Sequence, residues 1–379
     1  MRNQEMFYFD TVEKLLAFYA QEKREYRCIC CGHLFHNPHP NTQCGCTKAY
    51  YNTIISNRFP PPMATLLGEG NTPLLPSRAL DCNSAHTLYF KHEGFNPTGS
   101  FKDREAAWLY TSLQEQNIQD PIAIVSSGNA AISASMYGRL FGYACSCYAS
   151  KTIASEKIHF LQMINPRLYF REGSYEAIYE GVRDAQRHER LINITSGQLI
   201  DKEYGNMGII REIYNSGVHP DVIVAPAGNG ALIFGLFAGV MEQLLLGKIT
   251  KPPHIIAVQM HPSPLYEALK RGEGYHETSH ECTSIADAII AKASYCSQKA
   301  LLGIALTQGQ VIEVKEEQIR TALRRLLEEG YLVEPSSATV LAALDALEES
   351  LPPHSVIVSI LTGSGLKVIN TLQTLLEEP

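Results

Sequence analysis

Strand-like runs rich in β-branched residues alternate with helical patterns along most of this chain. That alternation predicts an α/β fold, with parallel sheets covered by helices. Two further observations agree. The 379 residues exceed one small core and suit two domains with an appendage. Hydrophobic residues make up 45% and charged residues 19%, the composition of a globular chain.

The elements follow in order. Residues 1–25 predict a short amphipathic helix, with Val12, Leu15, Leu16 and Tyr19 at helical spacing. Residues 26–47 are rich in Cys, Asn, Pro, His and Gly and too polar for an ordinary core, and Pro60-Pro61-Pro62 then forms a stiff junction. Strands are predicted at Thr87–Lys91, Ile122–Ser126, Ala144–Ala149, Arg167–Phe170, Val222–Ala225, Ile255–Gln259 and Val356–Leu361. Helices between them include Lys102–Gln114, Ala131–Phe141, Gly205–Tyr214 and Gln318–Glu329.

Several function classes are excluded early. With 32 basic and 39 acidic residues the net charge is −7, which repels a phosphate backbone, so nucleic acid is not expected as a partner. Glu5, Asp10 and Glu13 interrupt the start where a signal peptide needs an apolar run. The longest apolar stretch, Gly230 to Met241, is about half a membrane span and stops at Glu242 and Gln243. Five of the ten cysteines crowd between Cys28 and Cys46, unlike a secreted disulfide scaffold. A cytoplasmic protein with reduced thiols is the expectation.

Three glycine loops stand at predicted strand ends, where ligands bind in open α/β sheets. They are Ser126-Ser127-Gly128-Asn129-Ala130-Ala131, then Pro226-Ala227-Gly228-Asn229-Gly230-Ala231-Leu232, then Leu361-Thr362-Gly363-Ser364-Gly365-Leu366-Lys367. Small residues at a helix N-terminus expose backbone N–H groups that suit a phosphate or carboxylate. The second loop is neither a dinucleotide fingerprint nor a P-loop. A strand-to-helix turn needs glycine in any case, so each loop alone has a plain backbone explanation.

Residues 96–104, Asn-Pro-Thr-Gly-Ser-Phe-Lys-Asp-Arg, deliver Lys102 to the start of a helix. The positive end of a helix dipole and partial burial both disfavour an ammonium, the environment a Schiff-base lysine requires. The plainer reading is a first-turn lysine on a solvated face.

Together with Gly68-Glu69-Gly70-Asn71-Thr72-Pro73-Leu74, this segment and the three loops resemble the fold-type II pyridoxal-phosphate enzymes, and most of all the threonine synthases. Glu334-Pro335-Ser336-Ser337-Ala338 resembles the segment before that family's last core helix, and the order of motifs is kept from about residue 66 onward. The resemblance implies a tryptophan synthase β-like fold, with two parallel-sheet domains flanking a pyridoxal-phosphate cleft. Residues 59–102 and 203–379 would form the large cofactor domain, 103–202 the small domain, and 1–58 a Cys-rich extension. It also implies that Lys102 binds the cofactor's aldehyde and moves protons, and that Asn129 hydrogen-bonds the ring's 3-oxygen. Ser126, Ser127, Gly128 and Ala130 would hold the substrate carboxylate. Gly228, Asn229, Gly230, Ala231 and Leu232 would wrap the cofactor phosphate, and Thr362, with Ser364 beside it, would face the pyridine nitrogen. A hydroxyl there stabilises a pyridinium less than a carboxylate does, which suits elimination and replacement. The small-molecule amino-acid substrate and a homodimer are implied in the same way.

Two departures bear on the substrate. Ala130 stands where threonine synthases usually have Thr, and Leu199–Gly205 lacks their phosphate-binding arginine. Lys202 is the stand-in, offering a point charge and no bidentate fork, with Asp201 and Glu203 beside it. The leading expectation is a lyase turning O-phospho-L-homoserine and water into L-threonine and phosphate. The alternatives are a β-replacement synthase or a serine/threonine dehydratase, and a non-catalytic homologue that docks a partner through its Cys module.

Cys28, Cys31, Cys44 and Cys46 supply four thiols for a tetrahedral, structural zinc site, although the second pair is one residue short of C-x-x-C. His33, His36 and His39 are alternative ligands, and a metal-free, cysteine-rich loop is the alternative structure.

Overall fold

Val222–Pro226 is buried along its whole length, as a strand must be when helices cover both faces of its sheet. Ile122–Val125 behaves alike. A computed structural model describes residues 66–77, 86–151, 156–165, 167–188, 191–197, 201–273, 275–278, 284–290, 292–347 and 351–377. It also describes two short antiparallel strands, Glu25–Arg27 (β1) and Leu34–His36 (β2). The remaining strands in chain order are Leu74–Pro76 (β3), Thr87–His92 (β4), Ile122–Val125 (β5), Cys145–Ser150 (β6), Leu168–Arg171 (β7) and Ile192–Asn193 (β8). Val222–Pro226 (β9), His254–Met260 (β10), Gln310–Val314 (β11) and Val356–Leu361 (β12) complete them. The predicted N-terminal helix and the proposed zinc ligands Cys28, Cys31, Cys44 and Cys46 lie outside the described residues.

Two compact units emerge. The first contains Gly68–Phe101 and Asn206–Pro379, the second Lys102–Gly205. In the first, six strands run in the order β11-β10-β9-β12-β4-β3. All neighbours are parallel except β3, which pairs antiparallel with β4, Leu75 opposite Phe90. The expectation of wholly parallel sheets is corrected at that edge. Three residues ending in Pro76 carry too little pattern to be read as a strand, and a proline is tolerated there because an edge has one unpaired side. The core packs β9, β10 and β12 against the helix Pro335–Leu347, buried throughout except at Asp345 and Ala346, through Val224, Val258, Ile357, Leu341 and Leu344.

In the second unit four parallel strands run β7-β6-β5-β8. Ile122, Ile124 and Cys147 pack against Leu109, Tyr110 and Tyr137 from the helices Lys102–Glu115 and Asn129–Leu140. A short helix, Asp201–Tyr204, lies against the Lys102 helix. Gly205 permits that approach, because a Cβ there would stand 2.1 Å from the Arg104 carbonyl oxygen. Trp108 and Tyr204 meet edge-on beside it, ring centroids 6.4 Å apart. Among the described residues no helix is long and apolar enough to cross a membrane, and the Gly230–Met241 stretch falls in the buried helix Ala231–Leu245.

Candidate active site

The second unit holds Lys102 and the asparagine loop. Lys102 is the first residue of its helix, as its place after the Asn96–Gly99 turn predicts. Besides the helix dipole, a carboxylate one turn on acts at this position. Lys102 Nζ donates to Glu105 Oε1 at 2.8 Å, and Glu105 is wholly buried. The other oxygen, Oε2, lies 3.4 Å from Lys202 Nζ. Lys202 also donates to the Ile194 carbonyl at 3.1 Å and to Ser196 Oγ at 3.4 Å. Burial pushes the Lys202 ammonium down from its ordinary range, Glu105 opposes that shift, and the neighbouring Lys102 charge adds to it. Lys102, Glu105, Leu109, Ala130, Ile194 and Lys202 together line one small cleft of this unit.

The asparagine loop leaves β5 and enters the helix Asn129–Leu140, which begins two residues before its predicted start. Gly128 is its cap: its carbonyl accepts from Ala131 and Ile132 N–H, and its own N–H donates to Ser126 Oγ at 3.2 Å. Ser126, Ser127, Gly128, Asn129 and Ala130 are all half-buried, open enough to meet a small molecule.

The first unit holds the other two loops. After β9 the chain turns at Gly228-Asn229-Gly230 into a fifteen-residue helix starting at Ala231. The loop's carbonyls are held by its surroundings: Gly228 O accepts from Gln259 Nε2 at 2.9 Å and Ser294 Oγ at 2.7 Å, and Asn229 O accepts from Cys296 N–H at 2.8 Å. No described residue accepts from the N–H of Gly228, Gly230, Ala231 or Leu232. Carbonyls tied back and N–H groups uncommitted at a helix start are what an anion needs. Gly230 has φ +87°, and a Cβ on it would stand 2.9 Å from the Ala300 Cβ. The loop therefore suits a phosphate ester.

Past β12, Thr362 is buried, with its hydroxyl oxygen 3.2 Å from Ser337 Oγ. Ser337 Oγ also accepts from Gly363 N–H at 3.0 Å. Ser364 accepts from Leu366 N–H at the turn Gly365–Lys367, so its hydroxyl already serves as a cap. The segment leading to Lys102 is bonded here as well: Phe101 N–H donates to Thr362 O at 3.1 Å, and Ser364 N–H to Gly99 O at 2.9 Å. Lys367 Nζ donates to the Thr98 and Gly99 carbonyls, both at 2.9 Å.

Sequence reasoning missed Glu105, Ser337 and Lys367 as site neighbours. An i,i+3 acid after the lysine was the available signal for Glu105. Ser337 and Lys367 sat inside quoted motifs, but nothing in their spacing indicates what they touch. No group of three or more metal-ligating side chains occurs among the described residues.

Comparison with known proteins agrees with this chemistry. A threonine synthase of Halalkalibacterium halodurans is 29% identical over 323 residues, covering 83% of this chain and 88% of that protein. The processed form of threonine deaminase isoform 2 from Solanum lycopersicum superposes with a TM-score of 0.68 at 19% identity, covering 81% of this chain and 82% of that one. A fungal L-serine ammonia-lyase from Rhizomucor miehei does so with a TM-score of 0.69 at 22% identity, covering 81% and 98%. At those identities the two structures show the fold alone. The family profile of the pyridoxal-phosphate dependent enzymes matches residues 65–363, which takes in the lysine segment, the first two glycine loops and the third as far as Gly363. With an anion-ready glycine loop and a helix-start lysine present as well, the chain belongs to the pyridoxal-phosphate dependent enzymes, in their fold-type II branch.

Proposed function

We propose that this enzyme is a lyase acting on an amino-acid substrate by β/γ-elimination or replacement, with O-phospho-L-homoserine and water as substrates and L-threonine and phosphate as products. The observation that carries the substrate is the 29% identity to a threonine synthase over 83% of the chain. Lys102 would carry the cofactor's aldehyde carbon, and the N–H groups of Gly228, Asn229, Gly230, Ala231 and Leu232 its phosphate. Asn129 would donate to its 3-oxygen, and Thr362, with Ser364 adjacent, would face its pyridine nitrogen. Bound in that way, pyridoxal phosphate supplies an electron sink for the charge left at Cα. Lys102 Nζ holds and moves the Cα proton. Ser126, Ser127, Gly128 and Ala130 bind the substrate carboxylate at the start of the Asn129 helix, and Lys202 faces the rest of the substrate. Residues 59–102 and 203–379 as large domain, 103–202 as small domain, a zinc-bearing extension over 1–58 and a homodimer belong to the same proposal.

A second reading has its own support. Lys202 spends its ammonium on Glu105 and the Ile194 carbonyl, and Ala130 brings no hydroxyl, so a phosphate on the substrate has fewer donors to meet. That favours a serine/threonine dehydratase or a β-replacement synthase. Incubation with phosphohomoserine, phosphoserine, acetylserine or threonine, scored for phosphate, acetate and keto-acid, separates these readings. If phosphohomoserine yields neither phosphate nor threonine, the leading one fails. Lys102→Ala should abolish the visible absorbance of the lysine-bound cofactor, and a band that survives the substitution would reassign the lysine.

A further inference from the structure

Glu105 is a fully buried carboxylate with one oxygen on each of two lysines: 2.8 Å to Lys102 Nζ and 3.4 Å to Lys202 Nζ. An uncompensated carboxylate in that position is strongly disfavoured, so its two cations are integral to it. The three side chains line the same small cleft as Ala130. Two positive charges and one negative then share a water-poor space, where each charge strongly affects the others. We propose that Glu105 is a positioning residue for Lys102, exchanging a proton with its amine, and that Lys202 is the fixed cation that aims Glu105 and limits how tightly it holds that proton.

The step is simple in its balance. One proton passes between Lys102 Nζ and Glu105 Oε1, and no other bond changes. Glu105 lies only one helical turn from the lysine, so it keeps the amine inside the cleft when Lys102 is not covalently engaged. Lys202, on the short helix Asp201–Tyr204, is anchored by the Ile194 carbonyl and cannot follow Lys102. Other charged groups nearby are engaged elsewhere or stand farther back. Asp103 accepts from Ser133 Oγ at 2.7 Å, Glu203 follows Lys202 on its helix and favours its ammonium, and Lys202 acts only weakly on the Cys145 thiol of β6.

The inference rests on Lys102 as the reactive lysine of the proposed function, but its test does not need the cofactor. The full chain, stripped of cofactor, is labelled with acetic anhydride across neutral to alkaline pH. Acetylation of Lys102 is then read by mass spectrometry beside Lys151, which pairs with exposed Glu172 and serves as internal control. Glu105→Gln keeps the size and removes the charge, so Lys102 should become reactive about one pH unit lower, roughly tenfold more labelled at a fixed neutral pH. Lys202→Met removes the competing cation and should shift Lys102 the opposite way; Lys202→Gln serves if that variant does not fold. The same two variants, reloaded with pyridoxal phosphate, should move the pH dependence of the visible band with the same opposed signs. Shifts in one common direction, or none beyond those of Lys151, would overturn the proposal. A wild-type chain that takes up no pyridoxal phosphate would refute the functional reading and leave the labelling result to decide this one.

Discussion

Gly230 carries more than its size suggests. Its φ of +87° lies in the left-handed region, and a methyl group there would stand 2.9 Å from the Ala300 Cβ. Gly230→Ala should cost about 1–2 kcal/mol from the backbone alone, and more as the loop shifts to avoid Ala300. Cofactor titration should show weaker binding together with that loss in urea unfolding. Unchanged affinity would mean that the N–H groups of this loop do not hold the phosphate. His92 makes a different kind of statement. It is buried between Phe95 and Tyr331, with no described hydrogen-bond partner for Nδ1, and burial pushes its imidazole down from the ordinary value. The folded state therefore favours neutral His92, and the unfolded chain binds more protons below about pH 6.5. Stability is fully present above that pH and falls as pH drops toward the folded-state value. His92→Phe should flatten that part of a melting-temperature profile, and an unaltered slope would remove His92 as a cause. Both positions were visible as residues in the sequence, but neither their conformation nor their neighbours were.

At the scale of elements, the helices Met207–Asn215 and Ala231–Leu245 are joined by a two-pronged ion pair. Arg211 Nε donates to Glu242 Oε2 and Nη2 to Oε1, both at 2.7 Å. The carboxylate is nearly buried, so Arg211→Met should destabilise by about 3 kcal/mol, most of it the cost of leaving Glu242 uncompensated. Adding Glu242→Leu should recover the larger share, and a double variant no better than the single one would contradict this account. The principal strands were legible because β-branched runs buried on both faces have few other solutions: Val356–Leu361 matches its predicted bounds, and most others agree to within a residue or two. Beyond the two short strands β1 and β2, which no periodicity marks either, the unpredicted strands are β3, β8 and β11. Of these, β3 and β8 have three and two residues, too few for any pattern, and β11 is an edge strand of mixed burial. The start of the helix after the asparagine loop was placed two residues late because the capping group is a glycine carbonyl, which composition does not reveal.

The molecule as a whole carries a net charge of −7 and still belongs to a family built around an anionic cofactor. Local backbone dipoles at the Ala231 helix start can outweigh the global sign, because they act at hydrogen-bond range while the scattered charges are screened within about 8–10 Å. Binding to the folded chain alone should raise stability by mass action. Pyridoxal phosphate at a hundred times its Kd adds about 2.7 kcal/mol and should raise the melting temperature by several degrees. Lys102→Ala should shrink that rise without abolishing it, since the Gly228–Leu232 loop proposed to hold the phosphate is untouched. If inorganic phosphate at high concentration left the melting temperature unchanged, the loop would not be the anion's seat.

The residues alone specify the α/β class, most of the strands, the lysine segment and the order of three glycine loops. Each of these is written in local periodicity or in residue types that admit few conformations. Packing sets which partners those residues meet: Glu105 between Lys102 and Lys202, Ser337 against Thr362, Lys367 on the Thr98 and Gly99 carbonyls. Hydrogen bonds and ion pairs act over about 3 Å. Ser337 and Thr362 lie 25 positions apart in the chain, and Lys202 and Glu105 lie still farther apart. No spacing rule spans that distance; the packing of helices and sheets does.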